Sequence, residues 1–447
     1  MNLLSTDREL AQDSYYAATA PRTQQFAPLQ DSISADVAIA GGGLAGLSAA
    51  IELADRGYSV VLLEAAEVGS GASGRNGGQA IHGLACDQTT IEAQLGLAEA
   101  QRIWAMSLEA VAMIKQRSLR FGIDCEWQDG FLSLATSASK ATGLRAWQTR
   151  MATLYRFPVD WIDAPQLPQW IASERFKGGV FDAASGHLHP LKYCLGLARA
   201  AADLKVRIFE NSAVTGIQPG AQVTLSTAAG QVQASQVLLA GNVHLQDNLQ
   251  AIAPELAAQL KGRIMPVGTY IACTEPMDSK RLDALIPSKA AVCDTNFVLD
   301  YFRPTADQRL LYGGRVSYST ASPHDLKASM RQRLLRSFPQ LHDLGMQYAW
   351  GGFVDISMNR APDFGRLAAE SKFSTAKSNI YYLQGFSGHG LALTGLAGRV
   401  VAEAMAGDSG RFDTFARLKH RPFPGGALLR MPALVLGMAY YRLKDMF

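Results

Sequence analysis

The sequence predicts an α/β fold, and the observations that predict it lie close together near its start. A short apolar run, residues 36–40 (DVAIA), is typical of a buried parallel strand. It leads directly into the glycine turn 41–46 (GGGLAG), and a segment with helical periodicity follows, up to the stop signal at Arg56 and Gly57. A second apolar run, residues 59–63, then ends at Glu64. Strand, turn, helix, strand and acid in this order predict a Rossmann-like βαβ unit.

Each glycine of the turn has a physical task in binding a dinucleotide. Gly41 permits the tight turn, Gly43 lets the backbone approach a pyrophosphate, and Gly46 lets the helix pack against the strand. The free N–H groups at the helix N-terminus attract the phosphates. Glu64 lies 18 residues beyond Gly46, where its carboxylate accepts hydrogen bonds from ribose hydroxyls. The residues predicted to contact the cofactor here are Gly41, Gly43, Leu44, Ala45, Gly46, Glu64 and Ala65.

A second glycine-rich loop, residues 71–79 (GASGRNGGQ), follows soon after the acidic residue. An NAD site built on one βαβ unit does not need such a loop. A flavin does, because its ring extends along the protein and requires backbone donors and small residues where it lies flat. The sequence therefore predicts FAD in a glutathione-reductase-type FAD-binding domain. The loop residues predicted to bind it are Gly71, Ala72, Ser73, Gly74, Arg75, Asn76, Gly77, Gly78 and Gln79.

With these motifs the sequence resembles the D-amino-acid-oxidase-type superfamily of FAD enzymes. The loop 71–79 most resembles that of the gamma-glutamylputrescine oxidoreductase group. Further matches cover nearly the whole chain, at residues 186–193, 211–217, 237–242, 310–315 and 350–365. The resemblance implies that Val214, on a strand at 211–217, contacts the adenine. It also implies that Ala240 and Gly241 close the flavin site from behind.

The last motif, residues 385–390 (GFSGHG), precedes an apolar helical stretch at 391–405 and resembles a turn of the same family. A glycine turn that opens a helix directs N–H groups and the positive end of a dipole at whatever lies beyond it. In the family this is the pyrimidine edge of the flavin, which gains negative charge on reduction, so the turn favours hydride acceptance. The residues predicted to contact the flavin here are Gly385, Gly388, His389, Gly390 and Leu391.

Two departures from the sarcosine-oxidase-like members of the family bear on chemistry. Those members bind the flavin covalently through a cysteine in the segment that matches 348–353 (YAWGGF), and no cysteine stands there. Noncovalent FAD is therefore expected. They also carry a lysine, which helps oxygen to react, on the strand that matches 310–315, and this strand has none. The electron acceptor, oxygen or a quinone or another carrier, stays open.

The resemblance implies oxidation of a C–N bond in a small-molecule amine or amino-acid derivative, such as gamma-glutamylputrescine or a related polyamine. Hydride passes to flavin N5, and the resulting imine hydrolyses to an aldehyde or a keto acid. Positioning and electrostatics supply most of the effect once the amine is neutral, so no catalytic side chain is predicted with certainty. The candidates are His82, Tyr301, Arg303, Arg315 and Trp350.

Each candidate also has a structural interpretation. His82 follows the second glycine loop and either lies near the flavin ring or packs in the core. Tyr301, Arg303 and Arg315 lie on strands expected to face the flavin, where an arginine either clamps a carboxylate or forms an ion pair within the protein. Trp350 either walls the site or belongs to the core. Two other functions stay open, an NAD(P)H-dependent flavin reductase or hydroxylase, and a non-catalytic flavoprotein that acts as a binding partner.

The composition and a few sequence patterns bear on possible partners, metal sites and localisation. A net charge of +3 over 447 residues, without dense Lys/Arg runs, argues against a nucleic-acid partner. The five cysteines contain no C-x-x-C pair, so no metal site or redox dithiol is indicated. Residues 1–19 lack the pattern of a signal peptide, and a cytoplasmic protein is expected. The apolar segment 427–441 is either a packed helix or a membrane-surface helix that makes the protein peripheral to a membrane.

The predicted organisation has two domains assembled from separated segments. The FAD-binding domain comprises 36–90, 185–255 and 355–420. A substrate domain with a mixed sheet, of α+β type, comprises 91–184 and 256–354. Residues 1–35 form an N-terminal arm in which Tyr15 and Tyr16 are expected to dock, and 421–447 form a C-terminal apolar helix.

Overall fold

The computed structural model describes residues 7, 9–314, 325–368 and 378–424. The helices of these residues are, in chain order, α1 (Tyr15–Thr19), α2 (Leu44–Asp55), α3 (Gln88–Leu95), α4 (Leu97–Phe121), α5 (Ala138–Tyr155), α6 (Pro190–Asp203), α7 (Leu245–Ile252), α8 (Pro254–Ala258), α9 (Ser279–Leu285), α10 (Leu326–Ser337), α11 (Gly390–Met405) and α12 (Gly410–Ala416). The strands are β1 (Ser32–Ala40), β2 (Val60–Leu63), β3 (Gln79–Ala80), β4 (Gln128–Leu134), β5 (Asp160–Ile162), β6 (Gly179–His187), β7 (Arg207–Phe209), β8 (Gly216–Gln218), β9 (Val223–Ser226), β10 (Gln231–Leu239), β11 (Ile264–Thr274), β12 (Ala291–Asp294), β13 (Tyr301–Pro304), β14 (Leu310–Gly314), β15 (Met346–Ser357), β16 (Asp363–Leu367) and β17 (Ile380–Gln384).

The first sheet has the strand order β16-β17-β10-β1-β2-β7, with the hairpin β8–β9 beside β10. Strands β17, β10, β1, β2 and β7 run parallel, which confirms the predicted βαβ unit. The carboxyl ends of parallel strands meet at one edge of a sheet, and ligands bind there in such folds. This edge carries Gly41 after β1, Glu64 after β2, Ala240 after β10 and Gly385 after β17.

The second sheet has the strand order β15-β11-β14-β13-β12-β4-β6-β3, with β5 beside β6. Its strands are antiparallel except for the parallel pair β4 and β12, so the predicted mixed sheet is confirmed. Strand β3 contains Gln79, the last residue of the second glycine loop, and pairs with β6. The loop therefore passes from the carboxyl edge of the first sheet to the second sheet, and the site lies between them.

Apolar helix faces cover both sheets. Helices α2, α4, α6 and α11 share one core with one face of the first sheet, through residues such as Leu47 and Leu396. Helices α7 and α8 cover its other face, where Leu249 and Leu256 are buried. Helix α10 packs on the second sheet through Leu334. Because α2 and α11 follow the carboxyl ends of β1 and β17, which run parallel in the first sheet, their N-termini lie at the same edge of that sheet.

Two predicted strands are shorter than expected. The run 211–217 forms a strand only from Gly216, because Asn211 has a φ of +50° and the hydroxyl of Ser212 accepts the Leu29 amide, which holds this stretch off the sheet. The sequence also has a strand-like run at 297–302 (FVLDYF), which forms a strand only from Tyr301. A hydrogen bond from the Asp294 amide to the Asp300 carbonyl closes a hairpin, so residues 295–299 are its loop.

The strands of the first sheet fall in the predicted FAD-binding segments, except that β1 begins at Ser32. Strand β3 lies within the segment 36–90 but belongs to the second sheet. The domain boundaries stay a prediction. The apolar segment 427–441 lies outside the described residues. Within the part that the structure describes, no helix is long and apolar enough to span a bilayer.

Candidate cofactor site and active site

The first glycine turn is closed against neighbouring backbone. Gly41 has a φ of +120°, and a Cβ on it would lie 2.5 Å from the carbonyl oxygen of Ala240. A Cβ on Gly46 would lie 2.0 Å from the carbonyl oxygen of Gly41. Neither position admits a side chain. Glycine at both positions lets α2 begin only a few residues after the carboxyl end of β1. Ala240, which follows β10, borders the turn, and its amide donates to the Ala40 carbonyl at 2.8 Å. The contact of Ala240 and Gly241 with the flavin stays a prediction.

A hydrogen bond joins the two glycine loops. The amide of Leu44, the first residue of α2, donates to Ser73 Oγ at 2.9 Å. A Cβ on Gly43 would lie 2.7 Å from the same oxygen. The hydroxyl thus satisfies one of the free donors at the helix N-terminus and fixes the distance between the loops. The sequence placed Ser73 on the second loop but gave no sign of this contact.

Glu64 is held in one orientation at the end of β2. Its Oε2 accepts the Gly42 amide at 2.7 Å, and its Oε1 accepts the Ala66 amide at 2.9 Å. Burial raises the pKa of the Glu64 carboxyl, although these backbone donors act in the opposite direction. The carboxylate lies at the carboxyl edge of the first sheet, and its contact with a ribose stays a prediction.

The second glycine loop is folded by Asn76. The side-chain amide of Asn76 donates to the carbonyls of Ala72 at 3.0 Å and Ser73 at 2.9 Å. Its Oδ1 accepts the Gly78 amide at 2.9 Å. The neighbouring Gln79 accepts a hydrogen bond from Cys293 Sγ at 2.9 Å. These contacts make the loop a rigid backbone surface, the kind of surface that a flat ring requires.

The ring of Tyr301 packs between the second sheet and this loop. A Cβ on Gly77 would lie 2.5 Å from Tyr301 Cε2, and one on Gly313 would lie 2.0 Å from the same atom. The ring therefore fills the space between two glycines that face each other across the loop and β14. Tyr301, one of the candidate substrate residues, therefore lies against the second loop.

Arg75 is buried and points away from solvent. Its Nη2 lies 2.5 Å from Asp7 Oδ2, and its Nη1 donates to the carbonyl of Gly351 at 3.2 Å. The Arg75 carbonyl accepts the indole N–H of Trp350 at 2.9 Å. Trp350 is fully buried and packs edge-on against Tyr16, with ring centres 5.2 Å apart. Trp350 thus lies behind the loop, within the core.

Arg303 is also buried, and its guanidinium is engaged by the protein. Nε donates to the Gly77 carbonyl at 2.9 Å, and Nη2 donates to the Tyr16 hydroxyl at 2.9 Å. Burial and the charge of Arg303 lower the pKa of His187 to about 3, so that imidazole is neutral. The geometry directs Arg303 to the loop and the N-terminal residues. Arg315, the other predicted clamp, lies outside the described residues.

The turn before α11 is supported from β15. Asp355 Oδ2 accepts the Gly385 amide at 2.6 Å, and Ser387 Oγ accepts the Ser357 amide at 3.1 Å. Burial raises the pKa of the Asp355 carboxyl to about 7, although backbone amides of the turn act in the opposite direction. Among the residues that the structure describes, no side chain caps the N-terminus of α11. Its N–H groups are therefore available to an anionic or polar ligand edge.

His389 connects this turn to the segment after the second loop. Its Nε2 donates to the His82 carbonyl at 2.7 Å. Burial lowers the pKa of His389 to about 4, so the imidazole is neutral and Nε2 carries the proton that this bond requires. Ser73 thus joins the first and second loops, and this hydrogen bond joins the turn before α11 to the segment that directly follows the second loop.

The His82 side chain lies in an aromatic cluster. Its ring stacks on Trp147, with centres 6.0 Å apart, and contacts Trp104 and Phe157. Its Nδ1 lies 2.7 Å from Asp182 Oδ2. Burial alone would raise the pKa of Asp182, but hydrogen bonding and the charge of His82 lower it overall. The sequence gave no sign of Asp182 or the aromatic cluster, because these residues lie far apart along the chain.

FAD fits this arrangement. A Cβ on Gly71 or Gly388 would meet no described atom within 4 Å, so backbone faces open space at both the second loop and the α11 turn. Val214 is half-buried beside the first sheet, downstream of β7. An acid at the end of β2, an uncapped α11 and two joined glycine loops supply the acceptor and donors that a dinucleotide needs.

Comparison with known proteins agrees with this geometry. The family model described as FAD dependent oxidoreductase (DAO) matches residues 36–404. The chain belongs to this D-amino-acid-oxidase-type family of FAD-dependent oxidoreductases. It is an FAD enzyme that acts on amines or amino acids, and FAD is its cofactor.

Two curated relatives match almost the whole chain. Gamma-glutamylputrescine oxidoreductase of Escherichia coli (strain K12) is 41% identical over 97% of this chain and 98% of its own length. A probable oxidoreductase OrdL of Haemophilus influenzae is 38% identical over 97% of each chain. Among solved structures, L-proline dehydrogenase from P. horikoshii aligns with a TM-score of 0.69 and 18% identity, over 88% of this chain and 98% of its own. That structure supports the fold alone.

Proposed function

We propose that this oxidoreductase oxidises the C–N bond of gamma-glutamylputrescine or a closely related amine. The observation that carries the proposal is the joining of the two glycine loops and the α11 turn through Ser73 and His389, beside the second sheet. The substrate class rests on the similarity to the E. coli enzyme over almost the entire chain. The imine product then hydrolyses to an aldehyde.

Bound FAD supplies the acceptor for the hydride that leaves the carbon next to the amine nitrogen. The protein contributes position and electrostatics. The uncapped N-terminus of α11 and its turn stabilise negative charge that develops beside them. Neutral His389 holds its proton at Nε2 and keeps the turn against the His82 carbonyl. The aromatic cluster of Trp104, Trp147 and Phe157 excludes water from the His82–Asp182 pair.

No paired carboxylates or nucleophile are required in this proposal. The amine reacts in its neutral form, and orientation over the flavin supplies most of the rate. FAD is held noncovalently, because no cysteine stands in the segment 348–353. Oxygen and a quinone or other carrier are the candidate acceptors of the electrons.

The test is anaerobic mixing of the purified protein with gamma-glutamylputrescine, putrescine, sarcosine and several amino acids, followed by the visible absorption of the flavin. We expect gamma-glutamylputrescine or a close analogue to bleach the flavin fastest. Admission of air then separates an oxidase, whose colour returns quickly, from a dehydrogenase. Bleaching by NADH but by none of the amines would replace the proposal with the reductase alternative.

A further inference from the structure

The N-terminal residues follow the same side of the molecule as the candidate cofactor site. We call residues 7 and 9–31 the N-terminal strap. Near its carboxyl end, the Leu29 amide donates to Ser212 Oγ at 2.9 Å, and the Ser212 amide donates to the Glu64 carbonyl at 2.8 Å. In its middle, Arg22 donates to the Val68 carbonyl at 2.9 Å. The carboxyl-terminal half of the strap thus contacts the chain around the predicted ribose acid, Glu64. Its amino-terminal half contacts the second glycine loop.

At the second loop, the strap makes two buried polar contacts, each through an arginine. Asp7 pairs with Arg75, which belongs to the loop, at 2.5 Å. Tyr16 accepts from Arg303 at 2.9 Å, and Arg303 in turn donates to the carbonyl of Gly77. Tyr16 is fully buried, and Asp7 is 9% exposed. The two arginines therefore connect the strap with two different residues of the same loop.

The Tyr16 hydroxyl is one of the few acceptors of the buried Arg303 guanidinium. Among the described residues, no carboxylate forms an ion pair with the Arg303 guanidinium, whose acceptors are the carbonyls of Gly77 and Pro304, the Tyr16 hydroxyl and Nδ1 of the neutral His187 ring, the last at 3.4 Å. Burial and the charge of Arg303 lower the pKa of His189 to about 3, so this neighbouring ring is also neutral. A buried cation that loses one of few acceptors is strongly destabilised.

We propose that the strap is a working part of the cofactor site. Asp7 and Tyr16 act as positioning residues, which hold the second glycine loop in its FAD-binding form through Arg75 and Arg303. This inference goes beyond the proposed substrate, since it concerns the binding of FAD and holds for any amine that the enzyme oxidises. It also assigns Arg303 a role that does not involve a substrate carboxylate.

The test compares three variants of the full-length chain, Tyr16→Phe, Asp7→Asn and the control Tyr312→Phe. Tyr312 is a matched control, because its buried hydroxyl lies 3.4 Å from the guanidinium of Arg175 and 3.0 Å from Ser337 Oγ, in the core between the second sheet and α10. FAD is removed from each protein, and the Kd of FAD is measured by flavin fluorescence. We expect Tyr16→Phe and Asp7→Asn to raise the Kd roughly tenfold or more, and Tyr312→Phe to leave it within about twofold.

A second readout separates positioning from general stability. Hydrogen–deuterium exchange of residues 71–79 in the FAD-free proteins should accelerate in Tyr16→Phe and Asp7→Asn, and stay unchanged in Tyr312→Phe. Asp7→Glu, which restores the charge, should recover part of the FAD affinity. The inference is overturned if the Kd and the exchange of the loop match those of the unmodified protein in both strap variants. Equal losses of FAD affinity in all three variants, in step with their unfolding temperatures, would overturn it as well.

Discussion

The carboxylate of Asp355 accepts the backbone amide of Gly385 at 2.6 Å, in the interior of the protein. Asp355 lies on the last part of β15, and Gly385 begins the turn that opens α11. This contact holds the turn against β15, while the hydrogen bond of His389 to the His82 carbonyl holds it against the segment after the second loop. Burial raises the pKa of Asp355 to about 7, which gives the contact a measurable pH dependence.

The first prediction concerns stability against pH. The pKa of Asp355 in the folded protein lies above that of an unfolded aspartate, near 3.9. Between about pH 4 and pH 7 the folded protein binds a proton that the unfolded chain lacks, so the free energy of unfolding falls as pH rises through this window. The loss from this group reaches at most about 4 kcal/mol, at about 1.4 kcal/mol for each pKa unit. Above pH 7 its contribution is constant.

Asp355→Asn removes this titration and keeps an oxygen for the Gly385 amide. Denaturant unfolding from pH 5 to pH 8 should show that the stability of the variant rises relative to the unmodified protein as pH increases. Exposed Asp343, whose pKa is lowered to about 2 by its hydrogen bond to Arg281, provides the control Asp343→Asn. The raised pKa of Asp355 would be contradicted if the difference in free energy of unfolding between Asp355→Asn and the unmodified protein did not change with pH.

The second prediction concerns His389. His389→Ala leaves the His82 carbonyl without its donor, which costs about 1–3 kcal/mol for a buried group. We therefore expect roughly tenfold weaker binding of FAD or slower anaerobic reduction of the flavin. His342→Ala, at an exposed position, is the control. Because the pKa of His389 is lowered to about 4, reduction rates from pH 6 to pH 9 should follow the same profile in His389→Gln and in the unmodified enzyme.

The third prediction uses two glycines of the same loop. Gly77→Ala would place a Cβ 2.5 Å from the Tyr301 ring, so it should lower the stability of the FAD-free protein by roughly 1–3 kcal/mol. Gly71→Ala meets no atom, and Gly71 has a φ of −83°, so that variant should keep its stability. Its FAD affinity should nevertheless fall if the cofactor lies against this backbone. Thermal unfolding and fluorescence titration measure both effects.

A double variant checks the reason for the Gly77 effect. Gly77→Ala combined with Tyr301→Ala removes the collision, so the double variant should lose less stability than the sum of the losses in the two single variants. Additive losses in the double variant would show that the ring of Tyr301 is not the obstacle.

The fourth prediction concerns the predicted ribose acid. Glu64→Gln keeps one acceptor oxygen but turns an amide group toward either the Gly42 or the Ala66 amide. We expect FAD binding to weaken by roughly tenfold to a hundredfold. The free energy of unfolding of the FAD-free protein at pH 8 should fall by less than the free energy of FAD binding, because the variant no longer buries a carboxylate whose pKa is raised. Equal FAD affinity in both proteins would remove Glu64 from the site.

The parts of the site that the sequence predicted are local. The turn at Gly41 and the acid Glu64 are separated by one helix and one strand, so their spacing already fixes their places on the edge of the sheet. The loop 71–79 and the turn at Gly385 were found in the same way, from glycines at short spacing and an adjoining helix. Family resemblance then extended the prediction to FAD and to amine oxidation.

The parts that the sequence did not predict depend on contacts between distant segments. No local pattern links Arg75 with Asp7, Arg303 with Tyr16, or His82 with Asp182, since each pair spans between 68 and 287 residues. For the same reason, the sequence left Arg303 open between a substrate clamp and an ion pair within the protein, whereas its guanidinium donates hydrogen bonds to the loop and to Tyr16. The strand expected at 211–217 was interrupted by a contact with Leu29, which is also remote in sequence.

The most direct test of the central claim is anaerobic mixing of the enzyme with gamma-glutamylputrescine, in ordinary form and with deuterium on the carbon next to the primary amine. We expect that the bound flavin loses its visible absorption and that deuterium slows this loss several-fold, because the C–H bond breaks as hydride leaves. Amine oxidation is ruled out if the flavin keeps its colour with this and every other amine tested, while NADH bleaches it.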